Sequence, residues 1–184
     1  QSGAHYSKFY GGHERTTLVK LFKNVLKETT LKDLSDELTL SVNKNVWGSN
    51  RRFWPQQLLK NNQGTVSVKP LIGELKNKIL NDIKLIIPKT KSTNINLYIW
   101  DVGSGISIHN DTGYVFASTI YLNTKWHGDD GGWFIWQDDD QSWKAILPEY
   151  NTLVLNESNQ LHTVTPISHL ASEVRVTLQI FGEN

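Results

Sequence analysis

His109 and Asp111 are separated by one residue at the end of segment 106–110, whose composition is typical of a β-strand. Because residues i and i+2 of a strand point to the same face, the imidazole and the carboxylate can reach one point in space. Two ligands leave a metal ion under-coordinated, so a metal site here needs a third group. A His-x-Asp pair alone is also common in surface turns, and it therefore predicts a metal site only together with another ligand.

His162 is the best candidate for the third ligand. It lies in the β-rich segment 161–165, whereas the other four histidines lie in the N-terminal arm or in loops. A jelly roll can bring its second and seventh strands to the same end, which would place His162 beside His109 and Asp111. Two imidazoles and one carboxylate leave three coordination positions open and suit non-haem Fe(II). The alternative is a buried histidine of the core that binds no metal.

Arg175 stands at the start of the last predicted strand and shares a strand face with Thr177 and Gln179. A guanidinium inside a β-barrel is costly unless it has an anionic partner. Its planar fork suits a carboxylate, which it can bind through two parallel hydrogen bonds. The alternative is an ordinary salt bridge to Glu173 or Glu149.

The elements that must position these residues change character along the chain. We expect residues 1–14 to form a flexible arm and residues 15–184 to form one domain. Helical spacing of apolar residues predicts a helix over 15–29, a short helical turn over 31–38, and a second helix that starts at Pro70 and ends before Pro88. Between the helices, 43–62 is expected to be an irregular loop and 65–69 a strand.

After residue 93 the helical period gives way to short β-rich segments separated by turn residues. Eight strands are predicted, at 94–102, 106–110, 114–123, 132–137, 142–147, 152–156, 161–165 and 173–181. Eight short strands at this spacing indicate a jelly roll or a barrel. The predicted fold class is therefore α+β and mostly β, with about two N-terminal helices packed on one sheet.

Composition excludes several classes of function. Nineteen Lys and Arg stand against 18 Asp and Glu, and a net charge of +1 gives no reason to propose nucleic acid or a membrane surface as a partner. The chain has no cysteine, which excludes disulfides, thiolate metal sites and cysteine nucleophiles. No apolar run approaches the roughly 18 residues of a membrane span. We interpret the chain, which has no Met, as trimmed at its N-terminus and expect a cytoplasmic location; the sequence predicts no oligomeric state.

The order His109-x-Asp111, His162, Arg175 resembles that of the 2-oxoglutarate- and iron(II)-dependent oxygenases, and most closely of their prolyl 4-hydroxylase-like branch. Further similarity lies in the Tyr-Leu-Asn…Trp…Gly-Gly segment at 121–132 and in the segments 151–155 and 164–166. The resemblance covers about residues 94–182 and implies a double-stranded β-helix (jelly roll, cupin-like) core.

The resemblance also implies a cofactor set and a role for each site residue. Fe(II) would be bound by the two histidines and the aspartate, with 2-oxoglutarate as cosubstrate, O2 as oxidant and ascorbate as a candidate stimulant. Arg175 would hold the distal carboxylate of 2-oxoglutarate, assisted by Tyr121 and Thr177. Trp100 stands where the family often has a cosubstrate-contacting tyrosine, and Tyr98 on the same strand face could substitute for it.

Substrate contacts are expected from the irregular loop before the barrel. Arg51 and Arg52 could bind an anionic group there, and Trp54 could stack on a ring or a peptide. Trp133 follows the Gly-Gly pair where the family often has a Glu or an aliphatic residue, and it could shape the substrate site. The alternative is that these aromatic residues only fill the core and that the two arginines are solvated.

The expected function is hydroxylation of a prolyl residue in a protein or peptide, with 2-oxoglutarate converted to succinate and CO2. The carboxylate of Asp111 favours hydroxylation, because halogenating relatives have a small residue at that position. Two alternatives stay open: a hydroxylase of a free amino acid or another small molecule, and a non-catalytic jelly-roll module that binds metal or sugar. A metal-dependent hydrolase is disfavoured, since no Glu adjoins either ligand segment to act as a general base.

Overall fold

The computed structural model of the chain describes residues 19–42, 47–60, 62–157 and 159–184. The predicted arm, 1–14, lies outside the described residues. The division into an arm and one domain, and the cytoplasmic location, stay predictions.

The described residues contain eleven strands, four α-helices and one 3₁₀ turn. The strands are β1 (Val19–Lys23), β2 (Gly48–Ser49), β3 (Val66–Pro70), β4 (Ser92–Trp100), β5 (Ile106–His109), β6 (Phe116–Tyr121), β7 (Phe134–Gln137), β8 (Trp143–Ile146), β9 (Thr152–Asn156), β10 (His162–Val164) and β11 (Arg175–Glu183). The helices are α1 (Glu28–Val42), α2 (Asn50–Phe53), α3 (Gln56–Leu59) and α4 (Gly73–Ile83), and the 3₁₀ turn is Gly128–Asp130. The eight strands predicted after residue 93 correspond to β4–β11.

The strands form two antiparallel sheets. The larger sheet has the order β1-β9-β6-β11-β4-β3-β2, and the smaller has the order β5-β10-β7-β8. Neighbours in each sheet come from distant parts of the chain, as in a jelly roll. This confirms the predicted double-stranded β-helix.

Helices α1 and α4 cover the outer face of the larger sheet. Leu34 of α1 and Ile79 and Ile83 of α4 belong to one buried apolar cluster with side chains of β4, β6, β9 and β11. The alternation along each strand leaves its other set of side chains between the two sheets. This second cluster includes Tyr98, Trp100, Tyr121, Phe134 and Trp136. The candidate site lies in this second, inner layer.

None of the described helices is both long and apolar enough to cross a membrane.

The helix predicted over 15–29 is wrong for residues 19–27, and only the last two of its described residues are helical, at the start of α1. Residues Val19–Lys23 form β1, which pairs with β9 at the edge of the larger sheet. Asn24 then has a φ of 55°, outside the helical region. Pairing with an open sheet edge outweighs helical spacing here, and the ion pairs Lys20–Glu157 and Lys23–Glu149 join the same two segments.

Three further boundaries differ from the sequence-based expectation. The short turn predicted over 31–38 is a 15-residue helix. Pro70 does not start a helix; it ends β3, opposite Asn96 of β4, and α4 begins at Gly73. The loop predicted at 43–62 contains β2 and two four-residue helices within its described part.

Candidate functional site

The three predicted metal ligands come together at one end of the smaller sheet. His109 ends β5, His162 begins β10, and the two residues are direct partners in the antiparallel pair. His162 Nε2 lies 3.3 Å from one carboxylate oxygen of Asp111, and His109 Nε2 lies 3.7 Å from the other. One donor atom from each residue lies within 4.8 Å of the others, which is a spacing that a single cation can share.

Backbone carbonyls fix the orientation of both imidazoles. His109 Nδ1 lies 2.8 Å from the carbonyl oxygen of Ser107, and His162 Nδ1 lies 2.8 Å from that of Gln160. Because a carbonyl oxygen only accepts, each Nδ1 carries the proton and each Nε2 is left with a free lone pair. The side-chain oxygen of Asn156 accepts from the backbone N–H of Gln160 and holds that carbonyl in place. Burial lowers the pKa of His162 more than the nearby carboxylate raises it, which favours the neutral, metal-binding form.

Arg175 is a buried cation without an anionic partner among the described residues. It begins β11 opposite Trp100 of β4, is 1% exposed, and has its guanidinium carbon 4.6 Å from the Trp100 ring centroid. Its Nε and Nη1 atoms make no hydrogen bond to any described residue. Burial lowers the pKa of Arg175 to about 10, although the Tyr121 side chain opposes the shift.

The two carboxylates that the sequence offered as partners for Arg175 bond elsewhere. Glu149 forms an ion pair with Lys23 at 2.9 Å. Glu173 accepts a hydrogen bond from Asn123 Nδ2 at 3.1 Å. Neither Glu149 nor Glu173 therefore forms the salt bridge to Arg175 that the sequence offered as the alternative.

Tyr121 and Thr177 complete the surroundings of the guanidinium. They are direct partners in the β6–β11 pair, and both are buried. The Tyr121 ring centroid lies 5.3 Å from the guanidinium carbon of Arg175, and its hydroxyl makes no hydrogen bond to a described residue. Burial raises the pKa of Tyr121 and the charge of Arg175 partly offsets it, so the hydroxyl keeps its proton. These unsatisfied donors suit a carboxylate group.

Two connected spaces lead to the metal ligands. A small, partly open cavity of about 100 Å³ lies between the sheets and is lined by all three predicted ligands together with Trp100. An open groove of about 1110 Å³ runs along the outside of this cavity and also reaches His109 and Asp111. A small molecule could thus occupy the inner space while a larger one approaches from the groove.

The comparisons with known proteins agree with this geometry. Residues 93–182 match the family model described as the 2OG-Fe(II) oxygenase superfamily, 2OG being 2-oxoglutarate. This part of the chain is therefore similar to members of that superfamily. A comparison with curated protein sequences gives no significant match.

Solved structures with the same fold include several oxygenases. A Pseudomonas putida prolyl-4-hydroxylase superposes with a TM-score of 0.71 at 14% identity, over 92% of this chain and 94% of that one. A Trichoplax adhaerens prolyl hydroxylase in complex with a hypoxia-inducible-factor peptide gives 0.69 at 13% identity, over 91% and 84%. HygX from Streptomyces hygroscopicus, with nickel and 2-oxoglutarate bound, gives 0.62 at 10% identity, over 92% and 84%.

The residues of the candidate site fit the two components in the superfamily's name. Two imidazole nitrogens and a carboxylate oxygen are a donor set for Fe(II) that leaves coordination positions open. The buried, unpartnered N–H groups of Arg175 and the hydroxyl of Tyr121 match the carboxylate of a 2-oxo acid. The residues present therefore agree with Fe(II) and 2-oxoglutarate.

Trp100 and Tyr98 form one wall of the inner cavity with Trp54. The ring centroids of the three residues lie 5.9–6.0 Å apart. The indole N–H of Trp100 is already donated to Thr177 Oγ1 at 2.9 Å. Burial raises the pKa of Tyr98 to about 12, so its hydroxyl stays protonated. Tyr98 lines both the cavity and the groove and is placed where a substrate or a cosubstrate can meet it.

The other predicted substrate residues are not brought together. Trp54 lines both spaces, whereas Arg51 is exposed and donates to the backbone carbonyls of Gln63 and Gly64. Arg52 is exposed and lines neither space. The indole of Trp133 donates to the Gly128 carbonyl at 3.0 Å, and Trp133 lines neither space as well.

Several residues that line the cavity were not among the predicted site residues. Phe134 stacks on His162 with ring centroids 5.3 Å apart, Asn156 supports the same histidine, and Leu58 and Gln179 line the cavity. The strand alternation that places Gln179 on the face of Arg175 was a usable signal. Leu58 had none, because the short helix α3 shows no period of its own.

Proposed function

We propose that the chain is a 2-oxoglutarate-dependent hydroxylase of a prolyl residue within a peptide or protein. The carrying observation is that a long open groove, lined mostly by uncharged side chains, runs past the metal ligands. The match of residues 93–182 to the superfamily model supports the coarser part of this proposal, an Fe(II)- and 2-oxoglutarate-dependent oxygenase.

Each residue of the inner site receives a role under this proposal. His109, Asp111 and His162 hold Fe(II), and Arg175 with Tyr121 binds the distal carboxylate of 2-oxoglutarate. With O2, this bound set supplies the oxidation that converts a C–H bond to C–OH while 2-oxoglutarate becomes succinate and CO2. The protein contributes orientation and a dry cavity.

Aromatic side chains keep the inner site dry. Trp100 is fully buried, and Phe134 and Tyr98 are nearly so. Trp54 closes the wall from the side of α2 and α3 and lines the groove as well. A substrate that covers Trp54 would therefore exclude the remaining water from the metal ligands.

The lining of the groove favours a peptide segment, which has no charged ends near the site, over a free amino acid. Its exposed apolar lining includes Phe53, Ile72 and Ile108, which are 68%, 82% and 58% exposed. Its charged lining consists of Lys76 and of Asp111, which is occupied with the metal. A zwitterion would need a partner for both its ammonium and its carboxylate, whereas a peptide segment needs neither. The choice of proline rests on the two prolyl hydroxylases that share the fold.

The test compares proline in two chemical settings. The protein, loaded with Fe(II), is incubated with 2-oxoglutarate in air together with either an acetylated, amidated proline-containing peptide library or free proline. Succinate is quantified, and products are searched by mass for the addition of one oxygen atom. We expect oxygen addition to prolyl residues of the library and none to free proline.

Two results would contradict the proposal at different levels. Turnover of free molecules alone would overturn the peptide assignment and keep the oxygenase. Absence of succinate in every mixture, together with no anaerobic binding of 2-oxoglutarate, would support a binding module without catalysis.

A further inference from the structure

A directed chain of hydrogen bonds lies on the inner face of the larger sheet, beside Arg175. Thr119 Oγ1 donates to Gln179 Oε1 at 2.8 Å, and Gln179 Nε2 donates to Thr177 Oγ1 at 3.2 Å. Trp100 Nε1 donates to the same Thr177 oxygen at 2.9 Å. The chain therefore converges on one buried hydroxyl.

The direction of the Trp100 bond follows from chemistry, because an indole N–H can only donate. The structure orients the Gln179 amide with its oxygen toward Thr119 and its nitrogen toward Thr177. A hydroxyl oxygen has two lone pairs, and both lone pairs of Thr177 are taken by these N–H groups. The Thr177 hydroxyl is thereby left to act as a donor.

The Thr177 proton has no acceptor among the described residues. Thr177 is 0% exposed, so water at the surface cannot serve. It lies two residues from Arg175 on the same strand face and directly opposite Tyr121. Arg175 has unsatisfied N–H groups, and Tyr121 has an unsatisfied hydroxyl. The N–H groups of Arg175 can only donate, and the Tyr121 hydroxyl can donate as well as accept, a set that suits an anion.

We propose that Gln179 and Trp100 are positioning residues that hold the Thr177 hydroxyl as a donor to the distal carboxylate of 2-oxoglutarate. This rests on the proposed use of 2-oxoglutarate by the same site. Thr119 belongs to the same device, because it sets the orientation of the Gln179 amide. Trp100 then acts through Thr177 and through its stack on Arg175, and its N–H is not free for the cosubstrate.

The alternative is that Gln179 touches the ligand itself, since it lines the inner cavity. A double-mutant cycle separates the two roles. If Gln179 acts through Thr177, its replacement costs nothing once the Thr177 hydroxyl is gone. If it contacts the ligand directly, its replacement costs the same in both backgrounds.

The experiment measures binding without turnover. The whole chain is loaded with Mn(II) under nitrogen, and its dissociation constant for 2-oxoglutarate is measured by calorimetry in the wild type, T177V, Q179L and the double variant. A hydrogen bond to a charged group corresponds to a roughly tenfold to hundredfold change in affinity, which we expect for T177V. Q179L should weaken binding about threefold to tenfold, as expected for the loss of one neutral hydrogen bond. In the T177V background it should have no effect.

Three further variants keep the test decisive. T177S retains the hydroxyl and should bind 2-oxoglutarate like the wild type. If T177V fails to fold, T177S is compared with T177A instead. W100F keeps a ring over Arg175 and removes the N–H, and it should weaken binding less than T177V. Q179E offers an acceptor to Thr177 and a like charge to the ligand, and it should bind more weakly than Q179L. The unfolding temperature without 2-oxoglutarate is recorded for every variant.

The outcomes distinguish this inference from the proposed function. A wild-type protein that binds metal but no 2-oxoglutarate would overturn both. If the wild type binds 2-oxoglutarate and the effects of Q179L and T177V on the binding free energy add, only the positioning role of Gln179 is overturned. If Q179L has no effect on affinity in the T177V background, that role is supported.

Discussion

His109 and His162 face each other across the β5–β10 pair, with their ring centroids 4.2 Å apart. The backbone ladder sets this distance, and the carbonyls of Ser107 and Gln160 set the ring orientation. Asp111 needs only the first turn after β5 to join them. The candidate metal site is therefore largely preformed, and binding a cation there would require little ordering of the chain.

Substitution H162A should abolish metal binding while leaving the fold intact. Loss of a direct ligand should cost more than the roughly tenfold to hundredfold that loss of an outer hydrogen-bond partner costs. Bound Fe(II) or Mn(II) per chain is measured after anaerobic loading, and the far-ultraviolet circular dichroism checks the fold. H169A is the control, because His169 is exposed and lies outside the triad. Equal metal content in the two variants would contradict the assignment of the triad.

The inner site was largely predictable because it depends on strand alternation and strand order. Placing His109 and Asp111 on one face needs only the two-residue period, and a jelly roll puts β10 next to β5. Arg175, Thr177 and Gln179 follow from the same period along β11. What the period could not give is which buried polar group bonds which, and so the Trp100–Thr177 bond was not foreseen.

The outer site was less predictable because it depends on tertiary pairing. The apolar residues around Phe22 have helical spacing, but they pair with the edge of β9 and form strand β1. The sequence suggests Arg51 as a candidate anion binder, but its guanidinium donates to the backbone carbonyls of Gln63 and Gly64. Such contacts join segments whose relative position no local pattern specifies. The substrate-binding residues were therefore predicted less well than the residues of the inner site.

Substitution D82N should destabilise the protein at neutral pH but not in acid. Asp82 of α4 accepts hydrogen bonds from the backbone N–H of Lys27 and the hydroxyl of Thr30 at the start of α1. Burial alone would raise the pKa of Asp82, but these hydrogen bonds and the Lys27 charge lower it below the usual 3.8. Its ionised form therefore contributes stability fully above about pH 4, and the contribution is lost as the pH falls through the lowered pKa.

The expected loss for D82N at pH 7 is about 1 kcal/mol, as for other helix-start acceptors. Urea unfolding at pH 7 and at pH 3 measures it, and the difference between wild type and variant should shrink at the lower pH. D36N, at an exposed position of α1, is the matched control. A difference that stays constant or grows in acid would contradict the linkage.

Substitution W54A should weaken the peptide substrate without abolishing cosubstrate binding. Trp54 lines both the cavity and the groove and packs on Tyr98 and Trp100. Loss of one aromatic contact of about 0.5–1.5 kcal/mol should raise the KM for the peptide about twofold to tenfold. W143A is the control, because Trp143 is exposed on β8 and lines neither space. An unchanged KM in W54A would move the substrate away from this wall.

Substitution I72D should weaken peptide hydroxylation selectively. Ile72 is 82% exposed in the groove, and an aspartate there would have to be desolvated under a bound peptide. We expect the peptide KM to rise about tenfold or more, since desolvating one charge costs at least 1.4 kcal/mol. Succinate formation without peptide should stay the same. L85D is the control, because Leu85 is 93% exposed and lies outside the groove; an equal loss in both variants would show that the groove is not the docking surface.

Substitution R175M should separate the stability of the empty protein from its affinity for 2-oxoglutarate. Methionine keeps much of the length of the side chain but removes two buried N–H groups that make no hydrogen bond, each costing about 1–3 kcal/mol. The lost stack on Trp100 offsets about 1–2 kcal/mol of that gain. The empty variant should therefore be at least as stable as the wild type.

Because the R175M variant lacks the anchor for its carboxylate, 2-oxoglutarate should no longer raise the unfolding temperature of the Mn(II)-loaded protein. R175K, which keeps the charge and loses the two-pronged contact, should retain part of that shift. A large drop in the stability of empty R175M, or an undiminished shift with 2-oxoglutarate, would mean that Arg175 serves the fold and that the carboxylate is bound elsewhere.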